Sequence, residues 1–338
     1  MLILSFWKTY ELAVDFGSSN LRASIKGKGV VYNEPSVIAI NKKTKKVVAI
    51  GYKAKNIIGR ENSDITVISP VEKGRIVDHK AARLMLHHII SNYCKGTILK
   101  PVVTATVPKN LTEVERKSVI TDFTLAGAKK VHLVSSPVST SLGNGLNVTN
   151  PSGRLIVDFG GGICEISVVS LGTVIAHSEL NIGSNDFDLR IIDYIRNTHK
   201  ILIGKNTAEK VKIAIGCVQR QTDDEYFTVK GKDLLTGFPV SKNISASELV
   251  HIFYDDVKKI AEEITSIIMS VPFELTVDIE SYGIIISGNA SLLKGFKDLI
   301  DAVCSIKSYM SEETHLSSVN GTLKACEQRK TLIKTGIM

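Results

Sequence analysis

Apolar and polar positions along the chain fall into a pattern that occurs twice: a short apolar run, an acid, then small residues. Leu12-Ala13-Val14-Asp15-Phe16-Gly17-Ser18-Ser19 is one copy and Leu155-Ile156-Val157-Asp158-Phe159-Gly160-Gly161-Gly162 the other, with Val-Asp-Phe-Gly identical in both. Such a run predicts a buried strand entering a tight turn. A second strand-like run follows each turn, and the flanks Ala23-Ser24-Ile25 and Ile166-Ser167-Val168 align without a gap. Each copy opens about half of the chain, so the repetition predicts two related α/β halves.

Between the copies, further strands are expected at residues 30–32 and 37–40, an amphipathic helix at 80–93, and a β-rich strand at 102–107 closed by Pro108. A helix from Leu111 to about Ala126 carries Glu113 and Glu115 in its first turn, where the dipole favours acids, and Gly127 ends it. A strand at 130–134 leads to Ser135-Ser136-Pro137, which reads as a Ser-capped helix start with proline in the first turn. In the second half, helices are expected at 186–198 and 207–215, a polar hairpin region at about 219–235, and a long amphipathic helix at 245–271 stopped by Pro272. Tyr282 to Ser287 is a third strand ending in small residues, Gly288-Asn289-Ala290-Ser291, with a helix after Leu292-Leu293. Taken alone it is an ordinary strand-to-helix turn; as the third of its kind it is a candidate to cover an adenosine, with its backbone at a helix N-terminus near phosphates. From about His315 the helical pattern is only moderate.

Small residues at the two repeated turns let the backbone approach a ligand closely and aim several N–H groups at one place, which suits phosphate oxygens. Asp15 and Asp158, at the strand ends, are placed to hold water around a divalent cation. A single such turn is an ordinary hairpin; two of them, one per half, are positioned to close on a nucleotide.

At 338 residues with 43% hydrophobic residues, the chain is long enough for two well-filled domains. The formal net charge of +8 raises the question of nucleic acid or an anionic membrane. The lysines are scattered, however, and the densest cluster, Lys42-Lys43-Thr44-Lys45-Lys46, reads as a solvated hairpin tip. With no zinc finger or aromatic-studded basic surface, no nucleic-acid partner is expected. Five widely spaced cysteines without a C-x-x-C pair give a reduced, cytoplasmic pattern without a metal site. The apolar opening, Met1 to Trp7, is too short for a signal core and lacks a leading basic region. No apolar run approaches a spanning length.

Three strand-to-turn elements in this order resemble the actin, Hsp70 and sugar-kinase superfamily. Connecting sequence narrows the resemblance to the bacterial actin MreB family: Asn33-Glu34-Pro35-Ser36-Val37-Ile38-Ala39-Ile40, Pro70 to Asp78 in the form P-x-x-x-G-x-I-x-D, Leu125-Ala126-Gly127-Ala128, and Thr207-Ala208-Glu209-Lys210-Val211-Lys212. The resemblance covers nearly the whole chain. It implies an α/β, actin-like two-lobed fold with duplicated RNase H-like cores around a nucleotide cleft: a first lobe at 1–150 with a smaller subdomain near 33–75, and a second at 151–338 with a smaller subdomain near 185–250. It also implies ATP or ADP with Mg2+ as ligands. Ser18, Ser19 and Asn20 would take one side of the phosphates and Gly160, Gly161 and Gly162 the other. Asp15 and Asp158 would flank hydrated magnesium. The stretch Glu209, Lys210, Val211, Lys212 would supply ribose and base contacts through Glu209 and Lys212, which share a helical face, with Gly288, Asn289, Ala290 and Ser291 beneath. The plain alternative for Glu209 and Lys212 is a surface ion pair.

Two departures bear on hydrolysis. The family usually carries Glu-Glu-Pro where this chain has Ser135-Ser136-Pro137, the second Glu orienting the attacking water, and Thr-Thr where it has Ile163-Cys164. Hydrolysis needs groups that position water and stabilise transferred charge, and losing one preorganised polar group costs roughly 2.7–4 kcal/mol of barrier. At most a slow ATPase is therefore expected, with Glu165 the first suspect for the water if turnover is fast. The adenosine glycines are altered to Asn289 and Ala290. Arg22 lies just beyond the first turn, its direction left open by strand alternation.

The resemblance implies a cytoskeletal protein that polymerises with itself into filaments for cell shape or motility, at the inner face of the cell membrane. Ile98 and Leu99 align with an apolar loop that some family members insert into lipid, and Lys95 and Lys100 beside them favour an anionic surface; the alternative is two side chains tucked under a loop. Paralogous actin-like subunits are candidate partners, and motility of a wall-less cell is a candidate process by analogy. A small-molecule kinase on the same fold is the competing reading, but no separate catalytic carboxylate appears beyond Asp15 and Asp158. An Hsp70-like chaperone lacks room for a peptide-binding domain.

Overall fold

The two copies of the repeated pattern each start a five-stranded sheet, and the two sheets have the same strand order. A computed structural model describes residues 9–95, 99–220 and 222–338; the Met1 to Trp7 run and Ile98 lie outside the described residues. The first half contains β1 (Glu11–Phe16), β2 (Asn20–Ile25), β3 (Gly29–Pro35), β4 (Ile38–Asn41), β5 (Val47–Ile50), α1 (Tyr52–Lys55), β6 (Ile65–Ile68), β7 (Val71–Glu72), β8 (Arg75–Ile76), α2 (His79–Tyr93), β9 (Val102–Val107), α3 (Glu113–Ala126), β10 (Lys130–Ser135) and α4 (Ser136–Gly143). The second contains β11 (Arg154–Phe159), β12 (Cys164–Ser170), β13 (Thr173–Leu180), α5 (Ser184–His199), β14 (Ile201–Leu202), α6 (Lys205–Ile215), β15 (Tyr226–Asp233), β16 (Pro239–Ser245), α7 (Ala246–Ser270), α8 (Phe273–Tyr282), β17 (Ile284–Ser287), α9 (Phe296–Cys304), β18 (Ser308–Met310), α10 (Ser317–Glu327) and α11 (Arg329–Lys334).

The sheets run β10-β9-β1-β2-β3 and, read from the other edge, β18-β17-β11-β12-β13. In each, the opening strand pairs antiparallel with the next and parallel with a later one. Their central strands are covered on both faces: Leu12, Ala13 and Val14, like Leu155, Ile156 and Val157, are fully buried. That is why both runs are continuously apolar rather than alternating. A core of Leu12, Val14, Met85, Ile89 and Phe123 fills the first half, and one of Leu155, Val157, Phe159, Phe187 and Phe253 the second. Small three-stranded sheets, β5-β4-β6 and β14-β15-β16, are attached to the respective halves.

Local signals set most boundaries. Thr112 and Glu115 form a reciprocal capping box at the start of α3, and Gly127 closes it with φ 119°. The Asn41 side chain accepts from the main chains of Lys43 and Thr44, so the lysine-rich segment is an exposed hairpin tip, as expected. Three differences stand out. Ser135 is at the N-cap of α4 without a side-chain capping bond. The polar hairpin lies further on, its strands pairing Tyr226 with Ser245. A separate helix, α8, follows Pro272, because proline begins a helix as readily as it ends one.

The halves are interlocked by exchanged helices. Helix α4 follows the first sheet but packs on β11 and β12; α10 follows the second sheet and packs on β1, β2 and β9. The two helices cross so closely that a Cβ on Gly143 would lie 1.8 Å from Ser317 O, and one on Gly321 1.6 Å from Ser139 O. Thr106 joins the crossing through hydroxyl contacts with Ser139 and Thr322. Gly321→Ala is expected to push the helices apart and lower stability to urea by about 2 kcal/mol, in the range for overpacked cores. An unchanged urea midpoint would contradict this close crossing.

Candidate functional site

Both repeated turns are closed by the same bond: Gly17 N–H donates to Asn20 O at 3.0 Å, and Gly160 N–H to Ile163 O at 2.9 Å. The turns then meet across the gap between the sheets. A Cβ built on Gly161 would lie 1.9 Å from Ser19 Oγ, and one on Gly162 2.5 Å from Ser18 Oγ. Glycine is thus required by the opposite turn, apart from any ligand. Ser19 Oγ donates to Asn185 Oδ1 at 2.9 Å, and Ser18 Oγ accepts from Gly74 N–H at 2.9 Å. Lys73–Asp186, Arg75–Glu179 and Lys55–Glu209 ion pairs join the same two halves.

Beneath this meeting point is a cleft lined by both turns, Asp15, Arg22, Asp158, Ser136, Ile163, Glu165, Gly288 and Asn289. Asp15 and Arg22 are cross-strand partners and form an ion pair at 3.5 Å, which turns Arg22 into the cleft and answers the open question of its direction. Burial raises the Asp15 carboxyl above its ordinary range, with Arg22 opposing. Burial also pushes Asp158 up to about 6, while the Thr140 hydroxyl, donating at 2.9 Å, holds it down and the Asp15 charge adds to the rise. Two partly buried carboxylates facing one guanidinium leave negative charge undercompensated. The donor set fits a hard divalent cation with its water shell.

The expected adenosine residues are brought in unevenly. Gly288 and Asn289 line the cleft. Gly288 has φ 89°, and a Cβ there would lie 2.3 Å from Phe159 O, so only glycine serves. Ala290 and Ser291 are buried below, Ser291 Oγ donating to Gly288 O at 2.6 Å. The Glu209 to Lys212 stretch of α6 is not part of this lining. Glu209 binds Lys55 at 2.5 Å and borders a neighbouring cavity with Ser18, Ser19 and Asn20. Lys210 is exposed and Val211 is in the core. Lys212 pairs with Asp188 at 2.6 Å and donates to Ser184 O at 2.7 Å. Glu209 and Lys212 therefore do not pair with each other; each is held by a partner from another element.

Ser136 and Ile163 are both in the cleft wall. Ile163 packs where a Gly74 Cβ would be, 3.0 Å from its Cδ1. The Ser136 hydroxyl donates to Glu165 Oε2, and Lys109 N–H donates to Glu165 Oε1 at 3.1 Å. Burial pushes Glu165 up to about 7; these two donors hold it down, and the Asp158 and Glu179 charges raise it further. Sequence reasoning missed Thr314, His315 and Ser318, which reach the cleft from the first turn of α10 and the segment leading into it. The only available signal was the run of small residues Ser317, Ser318, Gly321 and Thr322.

Residues 9–334 match the family model described as MreB/Mbl protein. The chain belongs to the MreB/Mbl family. Among relatives of this family, the chain is 34% identical to the cell shape-determining protein Mbl of Bacillus subtilis over 86% of this chain and 87% of that protein. It is 32% identical to the cell shape-determining protein MreB of Escherichia coli, over 94% and 93% respectively. The crystal structure of MreB5 of Spiroplasma citri bound to ADP superposes with a TM-score of 0.91 at 29% identity, over 97% of this chain and 99% of that one. The family's actin-like fold is thus present, with its duplicated cores.

Glu165 gives the site a pH dependence. Its folded pKa of about 7 is above the ordinary 4.5, so the native state binds the extra proton between these values. The stabilisation is complete below pH 4.5 and is lost as pH rises through 7. For the ligand-free protein the Glu165 share is at most about 3 kcal/mol. Urea titrations across this window are expected to show a slope that Glu165→Gln flattens; an unaltered slope in the variant would refute the assignment.

Proposed function

We propose that this chain is an actin-like cytoskeletal subunit that binds ATP and ADP between its lobes, assembles with itself into filaments for cell shape or motility, and hydrolyses ATP slowly. The observation that carries the reading is the meeting of the two turns, Gly17 to Asn20 and Gly160 to Gly162, above two partly buried acids. In this reading main-chain N–H groups of both turns hold the phosphate oxygens. Family membership supports the same reading, as does a solved relative bound to ADP. The lobes divide near residue 150, with smaller subdomains near 33–75 and 185–250. Asp15 and Asp158 would hold magnesium through water, and the ion would supply charge compensation for the phosphates. The Gly288 to Ser291 turn underlies the adenosine, and of the α6 stretch Glu209, which borders the neighbouring cavity, acts beside it, whereas Lys210 is exposed, Val211 is in the core and Lys212 is held by Asp188.

Hydrolysis is slow in this reading because Ser136 and Ile163 replace the family's Glu and Thr. The filaments lie at the inner face of the cell membrane, the Ile98-Leu99 loop touching anionic lipid and avidity along the filament strengthening a weak single contact. Leu99 is half-buried, and among the described residues no helix is long and apolar enough to cross a membrane. Paralogous actin-like chains are candidate co-subunits.

The test is equilibrium ATP binding followed by sedimentation. The parent should bind ATP with magnesium and pellet as polymer, whereas Gly161→Val, whose branched side chain meets Ser19, should lose affinity at least about tenfold. Equal affinity in that variant would remove the turn from the phosphate site, and a parent that binds ATP yet never pellets would remove the filament. In the same assay with anionic liposomes, Ile98→Asp with Leu99→Asp should abolish co-sedimentation; unchanged co-sedimentation would exclude this loop as the contact.

A further inference from the structure

The two positions where the resemblance places water-orienting groups hold no carboxylate: Ser136 is short and uncharged, and Ile163 is apolar. A carboxylate nevertheless reaches this wall of the cleft from the neighbouring strand. Glu165 accepts the Ser136 hydroxyl on Oε2 and the Lys109 main-chain N–H on Oε1, and both Ser136 and Glu165 line the cleft that holds the two turns. The side chain of Glu165 is 6% exposed, so its position is set by these contacts rather than by solvent.

A serine hydroxyl has one proton and two acceptor lone pairs. Here the proton is committed to Glu165, which leaves Ser136 Oγ only acceptor capacity toward the cleft. A water bound to it must donate, which is the polarity needed in a nucleophile about to lose a proton. The groups around Glu165 hold it in this role. Asp158 faces it from β11 as its cross-strand partner. From β13, Glu179 is directly opposite it and is neutralised by Arg75 of β8 at 2.8 Å. His177 Nε2 is 3.8 Å from Glu165 Oε1 and has no hydrogen-bond partner among the described residues, while its Nδ1 meets Ser167 Oγ at 2.9 Å. The Lys109 main chain closes the remaining side.

We propose that Ser136 and Glu165 form a two-residue proton relay for ATP hydrolysis, Glu165 acting through the Ser136 hydroxyl where the family's Glu would act on water directly. The relay rests on the nucleotide reading of the cleft given above. In the step, the water oxygen bonds to the γ-phosphorus as the bond from that phosphorus to the β,γ-bridging oxygen breaks, its electron pair leaving on ADP. The water proton passes to Ser136 Oγ while the proton of Ser136 passes to Glu165 Oε2. Ser136 ends neutral and Glu165 protonated, until it releases the proton to phosphate or solvent. A relay through a hydroxyl has one more proton to move than a direct carboxylate, in keeping with slow turnover. The same contact bears on restoring the family residue: Ser136→Glu would bury a second carboxylate against Glu165, and like charges at contact cannot both ionise.

The experiment is single-turnover phosphate release at saturating ATP and magnesium, with ATP affinity measured separately. Glu165→Gln and Ser136→Ala should each lower release about tenfold or more, with affinity within about threefold of the parent, and the double variant should be no slower than the slower single one, because the two act as a unit. Ser136→Thr keeps the hydroxyl and should stay within about threefold of the parent rate. The relay is overturned if Glu165→Gln or Ser136→Ala binds ATP and releases phosphate at the parent rate. It is also overturned if Ser136→Thr falls as far as Ser136→Ala. A parent that fails to bind ATP overturns instead the nucleotide reading, and the relay with it; a parent that binds ATP but releases no phosphate overturns the relay alone.

Discussion

The constraint on which the rest of the molecule depends is the contact between two turns that leaves no space for a Cβ. Gly161 meets Ser19, and Gly162 meets Ser18, so the strand ends of two separate sheets are brought within reach of one ligand. Everything around the contact acts to hold it. Helices α4 and α10 exchange places across the halves, and their glycine-lined crossing fixes the floor. Three ion pairs join the upper parts: Lys55–Glu209, Lys73–Asp186 and Arg75–Glu179. Because these are partly exposed pairs, each contributes little alone. Their value lies in fixing how the halves approach.

The second organising feature is electrostatic. Asp15, Asp158 and Glu165 all face the cleft, each with its carboxyl raised by burial, and Arg22 is the cation paired with the first of them. A cleft that concentrates desolvated acids leaves negative charge undercompensated when empty, so a ligand that brings cationic charge would be favoured there. Stability of the fold and occupancy of the cleft are therefore linked.

Much of this was legible in the chain. The duplicated Val-Asp-Phe-Gly fixed the strand-turn units, because buried central strands must be apolar on both faces and their turns must be small. Collinear connecting motifs gave the family. What escaped is what depends on long-range contact. Strand alternation alone left Arg22 undirected until pairing with Asp15 was known. Helical spacing suggested that Glu209 and Lys212 share a face, yet other elements supply stronger partners for each. Ser136 looked like the loss of a catalytic group, and only the packing of α4 on β12 shows a carboxylate beside it. Helix α10 carried little amphipathic signal because its inner face is built of Ser, Gly and Thr, which permit the close crossing with α4 but do not mark a core.

The central claim, that the two turns form one phosphate cradle, is most directly tested by amide hydrogen exchange in the full chain with and without ATP and magnesium. Nucleotide is expected to slow exchange together at Ser18 to Asn20 and at Gly161 and Gly162, since both sets of N–H groups would be held by the same ligand, whereas the Gly17 and Gly160 N–H groups are already held within their own turns. Protection confined to one turn, or absent from both while ATP is bound, would contradict it.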